Sequence, residues 1–385
     1  MIAETLTLEQ AADRVWDAVV IGAGPAGSVA ARELARRGAR VLLADRAVFP
    51  RRKACGGCLN ASALSMLRAI GLGRLITELR AAELRGVRLT AHRVQADIPL
   101  PTGATISRET FDAALIRHAI EAGAAFLPGT TAQIAPLAGS RRHVALHRAG
   151  AARIVQARVV LVADGLQGRS LSGEPAMKQI VRAGSRVGVG AIIGSVPASY
   201  RRGVVTMACG DGGYVGVAHL EDGRCTIAAA LDPVVVRRDG GPGRAVAGIL
   251  DHAGLPDIPE LVEASWQGTP PLTRRRFPVA ATRLFVLGDA AGYVEPFTGE
   301  GIAWAVASAV AVAPLALQAS RDWHPRLASL WTARYRRVVA RRQRACRMIA
   351  RGLRHAGAVT LAARLLSCFP RLAVPVVERI NRRCA

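Results

Sequence analysis

The chain has 385 residues, about half of them apolar, enough for a sizeable core shared by two interleaved domains. Its formal charge is +24, almost all of it arginine, and sixteen arginines against Asp322 and Glu378 place +14 of it in residues 321–385. No recognition motif accompanies that charge, which argues against nucleic-acid binding. The odd count of seven scattered cysteines excludes a secreted disulfide framework.

The N-terminus, Met1 to Asp17, carries Glu4, Glu9 and Asp13 and has neither a basic n-region nor an apolar h-region. It reads as lacking a signal peptide, so a cytoplasmic location is expected. Val19, Val20 and Ile21 then form a short apolar run, the pattern of a buried parallel strand. Gly22, Gly24 and Gly27 follow at once in G-x-G-x-x-G spacing, with Pro25 and Ala26 between them. A helix is predicted from Ser28 to Arg37, and a second strand from Arg40 to Ala44 ends at Asp45 and Arg46. Gly22 allows the tight turn. Gly24 lets backbone approach a pyrophosphate, and Gly27 lets helix and strand pack closely. The helix N-terminus offers free N–H groups to phosphates, and Asp45 stands where a carboxylate can bind an adenosine ribose.

Further along, a helix is predicted over Ala61–Ile70 and β-like character over Gly86–Leu100. Ser107 opens a helix running to Ala122, and Val144–Ile154 resembles a hairpin around Ala149-Gly150-Ala151. Val159–Ala163 is a buried strand ending in Asp164-Gly165. Between 186 and 231 the runs Val187–Ile193, Val204–Cys209, Tyr214–Leu220 and Thr226–Leu231 predict a mainly antiparallel sheet. Arg283–Leu287 returns to a buried strand, followed by Gly288-Asp289 and by Gly299-Glu300-Gly301 at the head of a long alanine helix. Gly301–Ser320 is charge-free and near the length of a membrane span, but Pro314 interrupts it, so a buried helix beneath a cofactor is expected. The tail from Trp323 reads as helical, with Tyr335, Val338, Cys346, Ile349 and Leu353 on one face and arginines on another. That face either caps the core of the second domain or lies on an anionic membrane surface.

The expected fold is α/β: a Rossmann-like dinucleotide domain interleaved with an antiparallel substrate sheet, plus a basic helical C-terminus. The predicted boundaries are 1–173, with sheet strands near 84–105, then 174–282, 283–320 and 321–385.

Cys55-Gly56-Gly57-Cys58 has no second pair at ligand spacing, so no metal site is expected. The spacing permits a redox disulfide, and a plain glycine-rich loop is the other reading. His219 is either a general acid or base or a satisfied structural residue.

Three motifs occur in order: the glycine triplet at 22–27, Ala163-Asp164-Gly165, and Gly288-Asp289-Ala290-Ala291-Gly292-x-x-x-Pro296-x-x-Gly299-Glu300-Gly301-Ile302. The set resembles the FAD-dependent aromatic-hydroxylase superfamily. With Lys53-Ala-Cys55-Gly56-Gly57 it is most similar to the geranylgeranyl-reductase-like branch. The resemblance implies FAD as cofactor. It places Asp289 at the ribityl chain, the 299–302 backbone at the pyrimidine edge, Arg108 near the pyrophosphate or ribityl chain, and Cys55 beside the isoalloxazine. Asp164-Gly165 matches a motif that braces FAD and is linked to nicotinamide use. The Ser usual three residues after that Gly is Gly168 here, with Ser170 displaced. Lipid-saturating reductases carry Tyr-x-Trp-x-Phe-Pro where this chain has Tyr214-Val-Gly216-Val-Ala218-His219, so only the Tyr is kept.

The implied activity is oxidoreduction of a hydrophobic small molecule. The leading expectation is a monooxygenase acting through a flavin hydroperoxide, and the alternative is a double-bond reductase. A non-catalytic flavin-binding membrane-surface protein is the reading from another class. NAD(P)H would bind transiently, or a partner reductase would deliver electrons.

Overall fold

The computed structural model describes residues 1–381 except 138, 296 and 298. Val15–Ile21 lies between Val41–Ala44 and Ala151–Val162 in a largely parallel sheet. A strand covered on both faces needs an unbroken apolar run, and Ala18, Val19 and Val20 are fully buried. Leu284–Val286 joins the far side of Ala151–Val162 in parallel, with Leu284 opposite Val160. The chain thus re-enters its first sheet beside Ala151–Val162 after residues 163–283. The helices Pro25–Ala35 and Gly301–Arg321 pack against each other beside this sheet. Gly301–Arg321 has the length and composition to cross a membrane, yet 78% of its apolar window is buried inside the protein.

The second sheet has eight strands, in the order Gln267–Pro271, Val187–Ile193, Cys225–Leu231, Gly213–His219, Val204–Gly210, Ala82–Ala91, Val94–Thr105 and Cys58–Leu59. All of its pairings are antiparallel except Val204–Gly210 with Ala82–Ala91. Side chains alternate between its faces. Ala208, Val215, Val217 and Ile227 pack on one face with Val246, Ile249 and Leu250 of the helix Pro242–His252. On the other face Val205, Met207, Tyr214 and Ala218 meet Val359 and Ala363 of the helix Ala356–Cys368.

The single β-like stretch expected near 86–100 is a pair of long strands. They turn at His92 and Arg93, whose φ values are 46° and 64°. Two consecutive positive φ angles make the tight primed turn of a hairpin, usually built from Asn or Gly. Neither is present, so the sequence carried no turn signal. Ala149 and Gly150 make a similar turn at φ 47° and 83°, and there the glycine had marked the hairpin.

Candidate functional site

The first glycine turn is closed to side chains at two positions and open at the third. A Cβ on Gly22, whose φ is 100°, would stand 2.4 Å from the Ala163 carbonyl oxygen. One on Gly27 would stand 1.7 Å from the Gly22 carbonyl oxygen. Gly24 caps the helix Pro25–Ala35, and a Cβ there would meet only the guanidinium nitrogens of Arg51 and Arg108, each at 3.8 Å. A space remains between helix-end backbone and two cations, a shape and charge suited to a phosphate group.

Arg108 donates from Nε and Nη2 to the Asp112 carboxylate at 2.8 and 2.7 Å. Arg51 lies 3.4 Å from the same carboxylate, with its guanidinium over the Phe49 ring. Asp112 is fully buried and fixes both arginines. Burial works against the charge of Arg108, but Asp112 holds the guanidinium firmly protonated. Lys53 is pushed down by burial and then by Arg108, with Asp289 acting against the shift. Burial pushes the Asp289 carboxyl up, while Lys53 and Arg108 pull it back.

The other two turns converge on the first. Gly165 lies beside Lys53, with Nζ 3.5 Å from the position of an added Cβ. The Asp164 carboxylate accepts from the backbone N–H and hydroxyl of Ser170 at 3.0 and 2.7 Å. Gly168 at φ 56° turns the loop so that Ser170 takes up this contact. The other Asp164 oxygen is buried without a protein partner, and burial pushes this carboxyl up. Gly288 packs against the first helical turn, a Cβ there falling 2.8 Å from that of Ala26. Gly299, at φ 69°, abuts Cys58 in the same way at 3.1 Å, so the 55–58 loop meets the third turn.

Cys55 and Cys58 are free thiols. Cys55 accepts the Gly57 N–H at 3.4 Å and lines the cavity on the same wall as Arg108. Cys58 donates to the Gly56 carbonyl at 3.3 Å, and burial pushes its thiol up to about 12. The structure therefore shows the plain loop and no disulfide.

A cavity of about 570 Å³ runs through the site. At one end it is lined by Gly24, Pro25, Ala26, Lys53, Arg108, Gly165 and Asp289. Cys55, Gly56, Gly299, Gly301 and Ile302 line its middle. The other end is hydrocarbon: Leu84, Leu89, Ile98, Val205, Met207 and Leu272, with Leu353, Val359 and Leu366 from the C-terminal region. Gly216 and Ala218 face into this arm from the strand that keeps Tyr214. Where the related motif carries Trp and Phe, Gly216 makes room for Met207, whose Sδ stands 2.9 Å from the position of an added Cβ, and Ala218 offers only a methyl group to the cavity.

Several predicted residues stand elsewhere. Gly22, Gly27, Asp164 and Gly288 support the turns from behind and do not line the cavity. Asp45 accepts from the Ala23 and Ala47 N–H groups at 2.7 and 2.8 Å, so its carboxylate braces the glycine loop. Arg46 is exposed and off the cavity. Of the two readings of His219, its contacts favour the structural one. Its Nε2 bonds the Tyr200 carbonyl at 2.7 Å, its Nδ1 accepts the Cys225 thiol at 3.3 Å, and it does not line the cavity. Pro296 lies outside the described residues. Arg51 and Asp112 were missed. The Arg108–Asp112 spacing of four on a predicted helix was the available signal for that pair.

The donor set fits FAD. Arg51, Lys53 and Arg108 would take a diphosphate at Gly24, and Asp289 would accept from a polyol. The backbone of the third turn and Cys55 flank room for a flat ring. Fold and site thus define a dinucleotide-binding flavoprotein.

Comparison with known proteins agrees. A family described as FAD binding domain matches residues 16–209. The menaquinone reductase of Mycobacterium tuberculosis is 30% identical over 349 residues, covering 82% of this chain and 78% of that one. The geranylgeranyl diphosphate reductase of Rhodobacter capsulatus is 34% identical over 166 residues, covering 42% and 41%. The solved geranylgeranyl bacteriochlorophyll reductase-like protein of Thermoplasma acidophilum superposes with a TM-score of 0.77 at 18% identity, covering 95% and 96%. The chain belongs to this FAD-binding family and is an FAD-dependent oxidoreductase of the aromatic-hydroxylase-like superfamily.

Proposed function

We propose that the chain is a reductase of a carbon–carbon double bond in a long apolar molecule, of the isoprenoid or isoprenoid-quinone class. The observation that carries this reading is the aliphatic arm of the cavity, which runs from the third glycine turn to the C-terminal helices. Relatives named for reducing menaquinone and geranylgeranyl diphosphate support it. Saturating an alkene takes one hydride and one proton. FAD, when bound, supplies the hydride and is itself recharged by NAD(P)H or a partner reductase. Lys53, Arg51 and Arg108 bind its diphosphate end and Asp289 its polyol. The hydrocarbon walls align the chain and keep water away from the reacting carbon. Cys55, a free thiol on the cavity wall, is the proton donor in this reading.

The monooxygenase expectation differs in its need for oxygen, and one experiment separates the two. The flavin-loaded protein is reduced anaerobically by NADH, NADPH or dithionite, then mixed with geranylgeranyl diphosphate or menaquinone. A product that carries two more hydrogens on its isoprenoid chain, still present after any quinol has been reoxidised to the quinone and formed without oxygen, is the expected result. A product that gains an oxygen atom, and only in air, would overturn the reductase reading.

A further inference from the structure

The helix Ala356–Cys368 is apolar on two sides. Inward, Val359 and Leu366 line the cavity and Ala363 is fully buried. Outward, Leu361 and Leu365 are 59% and 45% exposed, and Phe369 just beyond is 62% exposed. Positions four apart on a helix stand one above another, so these three form a single stripe. Val374 beyond it is also exposed, and Leu372 and Val376 are both exposed and on the cavity wall, so they stand at its rim. A contiguous row of large apolar side chains on an outer face marks an interaction surface. Exposed Arg364, Arg371 and Arg379 share the segment, against one acidic residue, Glu378.

Apolar stripe and arginines together match a helix lying in a membrane interface. Arginines complement anionic lipid headgroups. They would repel the same face of a second copy of the chain, so charge selects the bilayer. The roof over the cavity is built by the helix Ala356–Cys368 together with Leu353, Leu372 and Val376, with apolar side chains toward both the cavity and solvent.

We propose that segment 356–379 docks on an anionic lipid bilayer, with Leu361, Leu365 and Phe369 entering the acyl boundary, and that the substrate enters the cavity directly from the bilayer at this roof. The docking stands without the proposed function; the entry route rests on it.

The test uses the full-length, FAD-loaded protein and vesicles of phosphatidylcholine with or without phosphatidylglycerol. Wild type is expected to sediment with the mixed vesicles and about tenfold less with phosphatidylcholine alone. The variant Leu361→Ser/Leu365→Ser/Phe369→Ser is expected to lose binding about tenfold or more while keeping its flavin absorbance and melting point. Arg364→Gln/Arg371→Gln/Arg379→Gln is expected to lose the salt-sensitive part. Wild type remaining in the supernatant, or the serine variant binding like wild type, would overturn docking. So would a concentration-dependent dimer, seen by light scattering, that the serine variant dissolves. For the entry route, the serine variant should lose turnover on vesicle-embedded substrate and keep it on detergent-dispersed substrate. Equal loss on both would overturn the route. No turnover by wild type in either form refutes the reductase reading and leaves the sedimentation result standing.

Discussion

At Gly24 the cavity wall is bare backbone beside Arg51 and Arg108, with Lys53 on the same wall; at Gly216 and Ala218 it is a sheet face of small residues packed by methionine and valine. The first end is specified atom by atom. A Cβ at Gly27 collides with backbone, and one buried carboxylate, Asp112, holds two cations in place. The second end is specified by omitted volume, through Gly216, Ala218, Ala228 and Ala230. The cofactor end should therefore fail abruptly when altered, and the substrate end should change its preference gradually.

The largest effect is expected at Gly27→Ala. Its Cβ would lie 1.7 Å from the Gly22 carbonyl oxygen, so helix and strand must part. Purified protein should be colourless or insoluble, as the flavin spectrum will show. Asp112→Ala comes next, because it leaves Arg108 and Arg51 buried without their carboxylate. A stability loss of about 3–5 kcal/mol is expected, measurable by denaturant unfolding. A variant as stable as wild type would remove Asp112 from this account.

Lys53→Met should weaken FAD binding by about ten- to a hundredfold through loss of a charge-assisted contact. The pH dependence follows from its lowered pKa in the free protein. Lys53 is charged below that value and neutral above it, so FAD affinity should fall as pH rises through it, earlier than for an ordinary lysine. Lys53→Arg should flatten the curve over the same range, since guanidinium stays charged.

A milder effect is expected from Ala218→Phe, which restores bulk to the hollow face. Turnover of a long substrate should fall about tenfold through steric crowding, with FAD content unchanged. Equal turnover of long and short substrates would separate the aliphatic arm from substrate binding. His219→Ala should matter least. It removes hydrogen bonds to the Tyr200 carbonyl and the Cys225 thiol, worth about 1 kcal/mol of stability, and should leave turnover per flavin near wild type.

The same contrast explains what could be read before the structure. Gly22, Gly24 and Gly27 announced their turn because backbone geometry is a local property. The strands at 187–231 announced themselves through alternation and turn residues. The tight turn at His92-Arg93 left no trace, because neither residue type signals a positive φ. Ser170 could not be assigned to Asp164 from spacing, since Gly168 turns the loop back on itself. His219 could be read either way in sequence, and only its tertiary contacts with Tyr200 and Cys225 weigh toward the structural reading. The cavity roof was half legible. The apolar face read in the tail ended at Leu353, short of Val359 and Ala363, whose seat against Val205, Met207 and Tyr214 joins residues far apart in the chain.

The most direct test of the division between the two ends is the crystal structure of the FAD complex with a bound isoprenoid. The diphosphate is expected at Gly24 among Arg51, Lys53 and Arg108, the ring edge at the 299–302 backbone beside Cys55, and the hydrocarbon chain along Gly216 and Ala218 toward Val359. Density for the diphosphate away from those cations, or for the chain outside the arm beneath the roof, would contradict that division.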